Sequence, residues 1–390
     1  MQTVFMNRKI VHLTSAHSPF DIRIFHRECK SLAAAGYEVI VIAPHSCNEA
    51  QDGVGIRGFQ SRKGKLARFT VSEWQIFKKA LNERAAIYHF HDPDLVFVGL
   101  ILRALGKKVI YDAHEFLPKD ILSKHYLPPR FRPAVANAAG FVERWASIWF
   151  SGIVSATPAI ASRLARVNRN TITAQNFPTV KEFDSSHSTD SRKPLLAYAG
   201  GLAARRGIAE MVRAMGMLSA GREAILELAG EFETPSDYRL VESLPGWSRV
   251  RLRGILKRKE VRELLSAASI GLVLYQPLPN HYEAGPHKLF EYMAAGLPMI
   301  ASDFPLWRRI IEEAECGIVV DPTQPAAIAE AIEFLLAHPD KAARMGECGR
   351  KAFQERYNWE GEEKKLLKLY ESILESSAVR GRTRDGEAAA

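Results

Sequence analysis

Residues 283–298 read EAGPHKLFEYMAAGLP. Two carboxylates, Glu283 and Glu291, flank a His-Lys pair. Leu289, Phe290, Met293 and Ala294 recur at helical spacing behind them. That spacing puts Lys288 and Glu291 one turn apart on a helix and leaves Glu283 on the preceding loop. A carboxylate accepts paired hydrogen bonds from vicinal hydroxyls, which hexoses and riboses both carry, and a lysine between two carboxylates neutralises a phosphate. The stretch therefore suits a ligand that joins a sugar, a phosphate and a ribose. An acid in a first helical turn also serves as a plain dipole partner, but that role does not explain the loop glutamate.

A second stretch, YAGGLAARRGIAEMVRAM at 198–215, reads as strand, glycine turn and helix. Gly200 and Gly201 let backbone approach a ligand closely. The helix start offers unpaired N–H groups, and Arg206 stands there able to fork two phosphate oxygens. A surface arginine beside a glycine turn reads equally well from this stretch alone.

Three other motifs carry less. GVGIRG at 53–58 has dinucleotide-fingerprint spacing, but polar SCNEAQD precedes it and no helix pattern follows, so its glycines are expected inside a strand or hairpin. HFHDPD at 89–94 could offer Asp92 and Asp94 to a metal. Asp92 before Pro93 reads better as a helix N-cap, with His91 at the strand's carboxyl end. RKGKLAR and LKRKE lack interleaved aromatics and read as solvated charge.

The elements that position these residues alternate along the chain. Apolar runs such as EVIVIAP, KKVIYDAH, PLLAYAG and IGLVLYQP are separated by helical patterns such as IRIFHRECKSLAAAG at 22–36. Strands apolar on both faces and alternating with helices predict parallel sheets covered on both sides. The alternation breaks at polar, serine-rich TVKEFDSSHSTDSRK and then restarts. The expected organisation is α/β, two doubly wound Rossmann-like domains in tandem with a catalytic cleft between them. The expected boundaries are 1–178 for a first domain, 179–193 for a linker and 194–358 for a second domain. A further helix is expected over 359–376, and a disordered tail over 377–390.

The totals agree with a globular protein: 390 residues, 47% hydrophobic and 25% charged. The four cysteines have no metal-ligand spacing and read as reduced thiols. No apolar run is long enough to span a bilayer and the first residues lack a signal-peptide pattern, so a cytoplasmic protein is expected. Residues 1–180 hold 24 Lys and Arg against 13 Asp and Glu, a net +11, and the remainder is net −2. A basic front half points to a phosphate-bearing partner or an anionic membrane surface. YLPPRFRPAVANAAGFVERWASIWFSGI at 126–153 mixes arginines with aromatics. It reads first as a core helix of the first domain, and second as a face resting on the inner leaflet of the cytoplasmic membrane.

Taken together, YAGGLAARRG, ELAGEF, VRLRG, EAGPHKLFEYMAAGLPMIASD and CGIVVDP occur in an order that resembles the retaining glycosyltransferases of family 4, which have the B-type, two-Rossmann architecture. HSPFDIRIFHRECKSLAAAGYEVIVIAP, YDAHE and QNFP are similar to that family's first half, so the resemblance covers nearly the whole chain. It implies a metal-independent enzyme that moves a sugar from a UDP- or GDP-linked donor to a lipid-linked or oligosaccharide acceptor in bacterial surface-glycan synthesis. It further implies that 1–178 binds the acceptor, that 194–358 binds the nucleotide sugar and that the helix over 359–376 crosses back to the first domain; no cofactor, metal or nucleic acid is implied. Glu291 would hold the ribose, Glu283 the donor sugar, and Arg206 and Lys288 the pyrophosphate. Gly200, Gly201, Gly285 and Leu289 would line the nucleotide site. His114, at the end of KKVIYDAH, would touch the donor sugar near the reacting carbon. The C1–O bond would loosen with oxocarbenium character and the acceptor attack from the same face, without a covalent intermediate. The chain departs from the family at Gly201, Arg206 and Pro286, and at SAHSPFD, where His17, Asp21 and Arg23 stand in place of a glycine pair. Nucleotide-sugar 2-epimerases and non-catalytic nucleotide-sugar-binding subunits share the implied architecture and are the competing readings.

Overall fold

The computed structural model describes residues 8–60, 72–124, 127–183, 194–221 and 223–387. The chain forms two compact units, Met1–Asn176 with Glu360–Ala390, and Phe177–Trp359.

The first unit is built on eight strands: β1 (Lys9–Leu13), β2 (Glu38–Pro44), β3 (Asn48–Gln51), β4 (Val54–Phe59), β5 (Ile87–Phe90), β6 (Lys108–Ala113), β7 (Gly152–Ser155) and β8 (Thr171–Thr173). They lie in the order β3-β4-β2-β1-β5-β6-β7-β8. Every pairing is parallel except the β3–β4 hairpin. Runs such as Val39–Ala43 and Val109–Tyr111 are buried because helices cover the sheet. The GVGIRG glycines fall in this hairpin, as their polar flanks predict, and no helix opens at them, since Val54–Phe59 is a strand.

The second unit carries β9 (Leu195–Ala199), β10 (Ile225–Ala229), β11 (Val250–Gly254), β12 (Ile270–Val273), β13 (Met299–Ser302) and β14 (Gly317–Val320). Their order, β11-β10-β9-β12-β13-β14, is the doubly wound order, and all pairings are parallel. Strand order reverses between β9 and β12 here, and between β1 and β5 in the first unit. Loops leaving the carboxyl ends of neighbouring strands diverge at such a point and open a crevice.

The last helix, Trp359–Glu387, supplies the residues of the first unit from Glu360 onward. Tyr370 Oη lies 2.6 Å from His89 Nδ1, and Lys108 Nζ donates to the Ile373 carbonyl. Gly152 permits the approach: a Cβ there would lie 2.9 Å from Ile373 Cδ1. The backbone stays helical to Glu387, where a disordered tail from 377 is expected from composition. Once a packed turn exists, each further residue adds a hydrogen bond at little cost, and no proline intervenes. Of the expected linker, Val180–Phe183 form a 3₁₀ turn, and 184–193 lie outside the described residues, as does the RKGKLAR cluster.

Candidate functional site

In the second unit the turn after β9 carries Gly200 and Gly201, and the loop after β12 runs through Tyr275 to Pro286. Both leave the sheet where its order reverses. Gly200 has φ +144°, and a Cβ there would sit 2.5 Å from Lys288 Nζ. Its missing side chain lets an ammonium lie against the turn. Lys288 stands in the first turn of the helix His287–Ala294 and is buried. It donates to Tyr275 Oη at 3.3 Å, and its Nζ lies 5.0 Å from the Tyr198 ring centre and 5.6 Å from that of Tyr275. Arg206 places its guanidinium carbon 4.2 Å from the same Tyr275 ring. One aromatic ring therefore serves two cations. Burial, and after it the Arg206 charge, push the Lys288 pKa down to about 7 against the pull of Glu291. An anion bound beside this pair would relieve both effects.

Glu291, one turn on, is buried and accepts from Arg258 Nη1 at 2.5 Å. Arg258 Nη2 also donates to Glu182 Oε2 at 3.3 Å. Burial would raise the Glu291 pKa; the Arg258 charge, then that of His287, outweigh it and hold the carboxyl below its usual range. The reading of LKRKE as solvated charge therefore fails at Arg258. The helix Arg258–Ala267 starts just beyond β11, and its first residue turns inward to two carboxylates. Its place at a strand's carboxyl end was the available signal. Tyr275 and Tyr198 were missed too, because an aromatic at a strand end reads as core.

Glu283 lies half-buried in a turn, next to Ala284, whose carbonyl accepts from Trp307 Nε1 at 2.6 Å. Gly201 is exposed, and its carbonyl accepts from Tyr198 Oη at 2.9 Å. Gly285 lies in the same loop as Glu283, and a Cβ there would meet nothing nearer than Phe290 Cε2 at 3.8 Å. Leu289 belongs to the core packed around Phe177, Phe290 and Trp307, and its N–H already donates to the Pro286 carbonyl at 3.1 Å. As placed it braces the helix rather than lining a ligand surface. Beyond the carboxyl ends of β10 and β11 lies a mainly apolar groove lined by Gly230, Phe232, Thr234, Tyr238, Leu252 and Gly254.

In the first unit His114 follows β6. Its Nε2 lies 2.7 Å from Asp112 Oδ2 and 3.2 Å from His91 Nδ1. Asp112 is fully buried and receives Arg23 through Nε at 2.8 Å and Nη2 at 2.7 Å. Burial opposes its ionisation, but Arg23 and His114 hold its pKa well below the usual carboxylate range. Arg23 also donates to the Ala174 carbonyl at 2.6 Å. It is therefore a buried brace rather than a substitute for the glycine pair. Asp21 caps the helix that starts at Ile22, accepting from Arg23 N at 2.8 Å and Ile24 N at 3.0 Å. Asp92 does not cap with its side chain. It accepts instead from Ser15 N at 2.6 Å and Thr14 Oγ1 at 2.7 Å, tying the end of β5 to the end of β1. Two donors held by the neighbouring strand displace the local N–H groups. His17 lies beside both acids, 3.6 Å from Asp21 Oδ2 and 3.4 Å from Asp92 Oδ1.

The helix Arg132–Ser147 overturns the core-helix expectation. Ala136, Gly140 and Ala146 face inward, and Gly140 packs against Pro118. Large side chains of the helix and of the turn after it face out: Phe141 is 72% exposed, Trp145 48% and, past the helix end, Trp149 55%. Phe97, Ile101 and Leu105 add further exposed apolar surface from the helix Val96–Ala104 and its end. Arg103 on that helix donates from Nε to the Trp149 carbonyl at 2.7 Å, joining the two. Small residues allow close packing, so the bulky face is left to solvent. Among the described residues no helix is long and apolar enough to cross a membrane.

Residues 179–352 match the family described as glycosyl transferases group 1, and residues 23–173 the glycosyl transferase 4-like domain. The chain is 26% identical over 196 residues to alpha-maltose-1-phosphate synthase of Mycolicibacterium smegmatis, covering 47% of this chain and 49% of that protein. It is 26% identical over 194 residues to alpha-D-kanosaminyltransferase of Streptomyces kanamyceticus, covering 49% of each. It thus spans about half the length of the curated relatives it matches. Among solved structures, sucrose-phosphate synthase of Thermosynechococcus elongatus superimposes with a TM-score of 0.76 at 20% identity, covering 94% of this chain and 99% of that one. HepE of Anabaena in complex with UDP and glucose gives a TM-score of 0.72 at 14% identity, covering 93% and 99%. These likenesses are of fold.

Proposed function

The chain belongs to the family-4-like glycosyltransferases of B-type, two-Rossmann fold, and we propose that it transfers a sugar from a nucleoside diphosphate sugar, with retention, to a lipid-linked or oligosaccharide acceptor of a surface glycan. The observation that carries this reading is Lys288. It is a buried lysine beside a second cation, Arg206, against a glycine turn at the reversal of strand order. Such a pair is at its most stable with a phosphate between or beside it.

In this reading the pyrophosphate lies on Gly200, Lys288 and Arg206, and Glu291 receives the ribose hydroxyls while Arg258 fixes its orientation. The groove past β10 and β11 takes the base against Phe232 and Tyr238. Glu283 holds the donor sugar, and His114, oriented by Asp112, acts at the reacting carbon. As the C1–O bond lengthens, negative charge gathers on the departing phosphate, where preorganised cations lower the barrier without reorganising. Lys288 and Arg206 supply that charge, so the transfer step requires no metal. The exposed Phe141, Trp145 and Trp149, with Arg130, Arg132 and Arg144 near them in sequence, suit an anionic membrane surface and thus a lipid-linked acceptor.

The test is thermal stabilisation by UDP and by GDP in metal-free buffer, for wild type and Glu291→Ala. A rise in Tm with one nucleotide, lost in the variant, supports the donor site and identifies the base class. No rise with either nucleotide defeats the reading. Product analysis with the matching sugar nucleotide and no acceptor separates transfer from 2-epimerisation, since an epimerase needs no acceptor.

A further inference from the structure

Four ligand-type side chains meet inside the first unit: His12 on β1, Glu28 on the helical segment Ile22–Cys29, His89 on β5 and His91 just after it. All four are buried. One ligand atom from each lies within 4.8 Å of all the others. His12 Nδ1 is 2.9 Å from His91 Nε2 and 4.0 Å from Glu28 Oε2, and His89 Nδ1 is 3.6 Å from Glu28 Oε2.

The cluster is short of positive charge. Neither oxygen of Glu28 accepts a hydrogen bond, and His89 Nε2 has no hydrogen-bond partner among the described residues. The nearest guanidinium, Arg23 Nε at 3.2 Å from Glu28 Oε1, is shared with Asp112. With the three imidazoles of the cluster neutral, Arg23 is shared between Glu28 and Asp112, and His114 stands against Asp112, not against Glu28. A proton or a cation must make up the difference, because an uncompensated buried carboxylate is costly.

Three imidazoles and a carboxylate form a ligand set suited to zinc(II). A tetrahedral ion with bonds of about 2.0–2.1 Å holds its ligand atoms roughly 3.3–3.4 Å apart, within the spread observed here. The outer shell is also in place. His91 Nδ1 lies 3.0 Å from Asp112 Oδ2, which keeps the proton on Nδ1 and leaves the Nε2 lone pair facing the cluster. Tyr370 Oη, 2.6 Å from His89 Nδ1 and 3.4 Å from His12 Nε2, would release the first and keep the second.

We propose that His12, Glu28, His89 and His91 bind one zinc-class divalent ion, which ties β1, the Ile22–Cys29 segment and β5 together. The ion would be structural, one imidazole behind Asp112 and His114, and the test reads metal content and stability rather than turnover. Full-length protein, grown with zinc and purified without chelator, should carry about one zinc per chain by elemental analysis. Stripping should lower the Tm and adding zinc should restore it. Cobalt(II) in the stripped wild type should give the intense visible bands of a four-coordinate site. Glu28→Gln and His89→Gln should lose the metal, whereas His45→Gln, in the separate His45, Cys47 and Glu49 group, should keep it. Absence of both bound zinc and cobalt bands in wild type would overturn the proposal and leave a proton-bridged network. Zinc retained in Glu28→Gln, or lost in His45→Gln, would overturn it as well. If the Glu28 variant fails to fold, the wild-type cobalt spectrum still decides.

Discussion

Arg258 donates to Glu291 at 2.5 Å and, through its other terminal nitrogen, to Glu182. The residue proposed to receive ribose hydroxyls is thus already ionised, oriented and partly satisfied before any ligand arrives. Removing Arg258 leaves a buried carboxylate with one fewer partner. Arg258→Met should destabilise the protein by about 1.5–3 kcal/mol in urea melts, the range for losing a hydrogen bond to a charged group. Its nucleotide affinity should fall as well. A double-mutant cycle with Glu291→Gln should show coupling, and additive losses would refute the orienting role.

Lys288 makes stability depend on pH. Its pKa falls from 10.5 when unfolded to about 7 when folded. Between those values the unfolded chain binds more protons than the native one, so stability rises with pH across this window. Lys288→Met should flatten the rise. A wild-type Tm that falls steadily from pH 7 to 9, with no difference from the variant, would contradict the buried-cation account.

The same depressed lysine should take up a proton when an anion binds. Above pH 7, nucleotide binding followed calorimetrically in buffers of different ionisation enthalpy should show net proton uptake, absent in Lys288→Met. Equal heats across buffers would argue that phosphate does not contact Lys288.

Gly200→Ala would place a methyl 2.5 Å from Lys288 Nζ and impose a side chain at φ +144°. Nucleotide affinity should drop by about tenfold or more, equivalent to roughly 1.4 kcal/mol. The mirror change at exposed Gly201 should cost far less, so equal losses at the two glycines would remove the argument for close approach.

Trp145→Ser with Phe141→Ser should abolish sedimentation with anionic liposomes at low salt. Both residues are exposed, so each should shift folding stability by no more than about 0.5 kcal/mol. Failure of the wild type to sediment would defeat the membrane-facing reading.

Much of this was legible in the sequence, for physical reasons that also mark where legibility ended. Apolar strands alternating with helical periodicity are local signals, and they foretold two parallel sheets. Lys288 and Glu291 share a helix, so their relation was readable from spacing. Arg258 finds Glu291 33 residues later and Glu182 76 residues earlier. No local pattern encodes such pairs. Periodicity in the helix Arg132–Ser147 identifies an apolar face but does not say that its small residues are the buried ones. Asp92 stands where an N-cap stands, yet donors just beyond β1, Thr14 and Ser15, distant in sequence, outcompete the local amides.

The last helix gives the first unit a schedule. Residues 360 onward complete a unit whose other residues precede 177, and Tyr370 is the hydroxyl beside His89. The ribosome therefore makes the whole second unit before it delivers the final piece of the first. At synthesis rates of about 5–20 residues per second, the first sheet waits on the order of ten seconds or more with that face uncovered. A chain cut short near residue 359 would keep every residue proposed to hold the nucleotide. Its defect would lie in the other unit, far from the break in sequence.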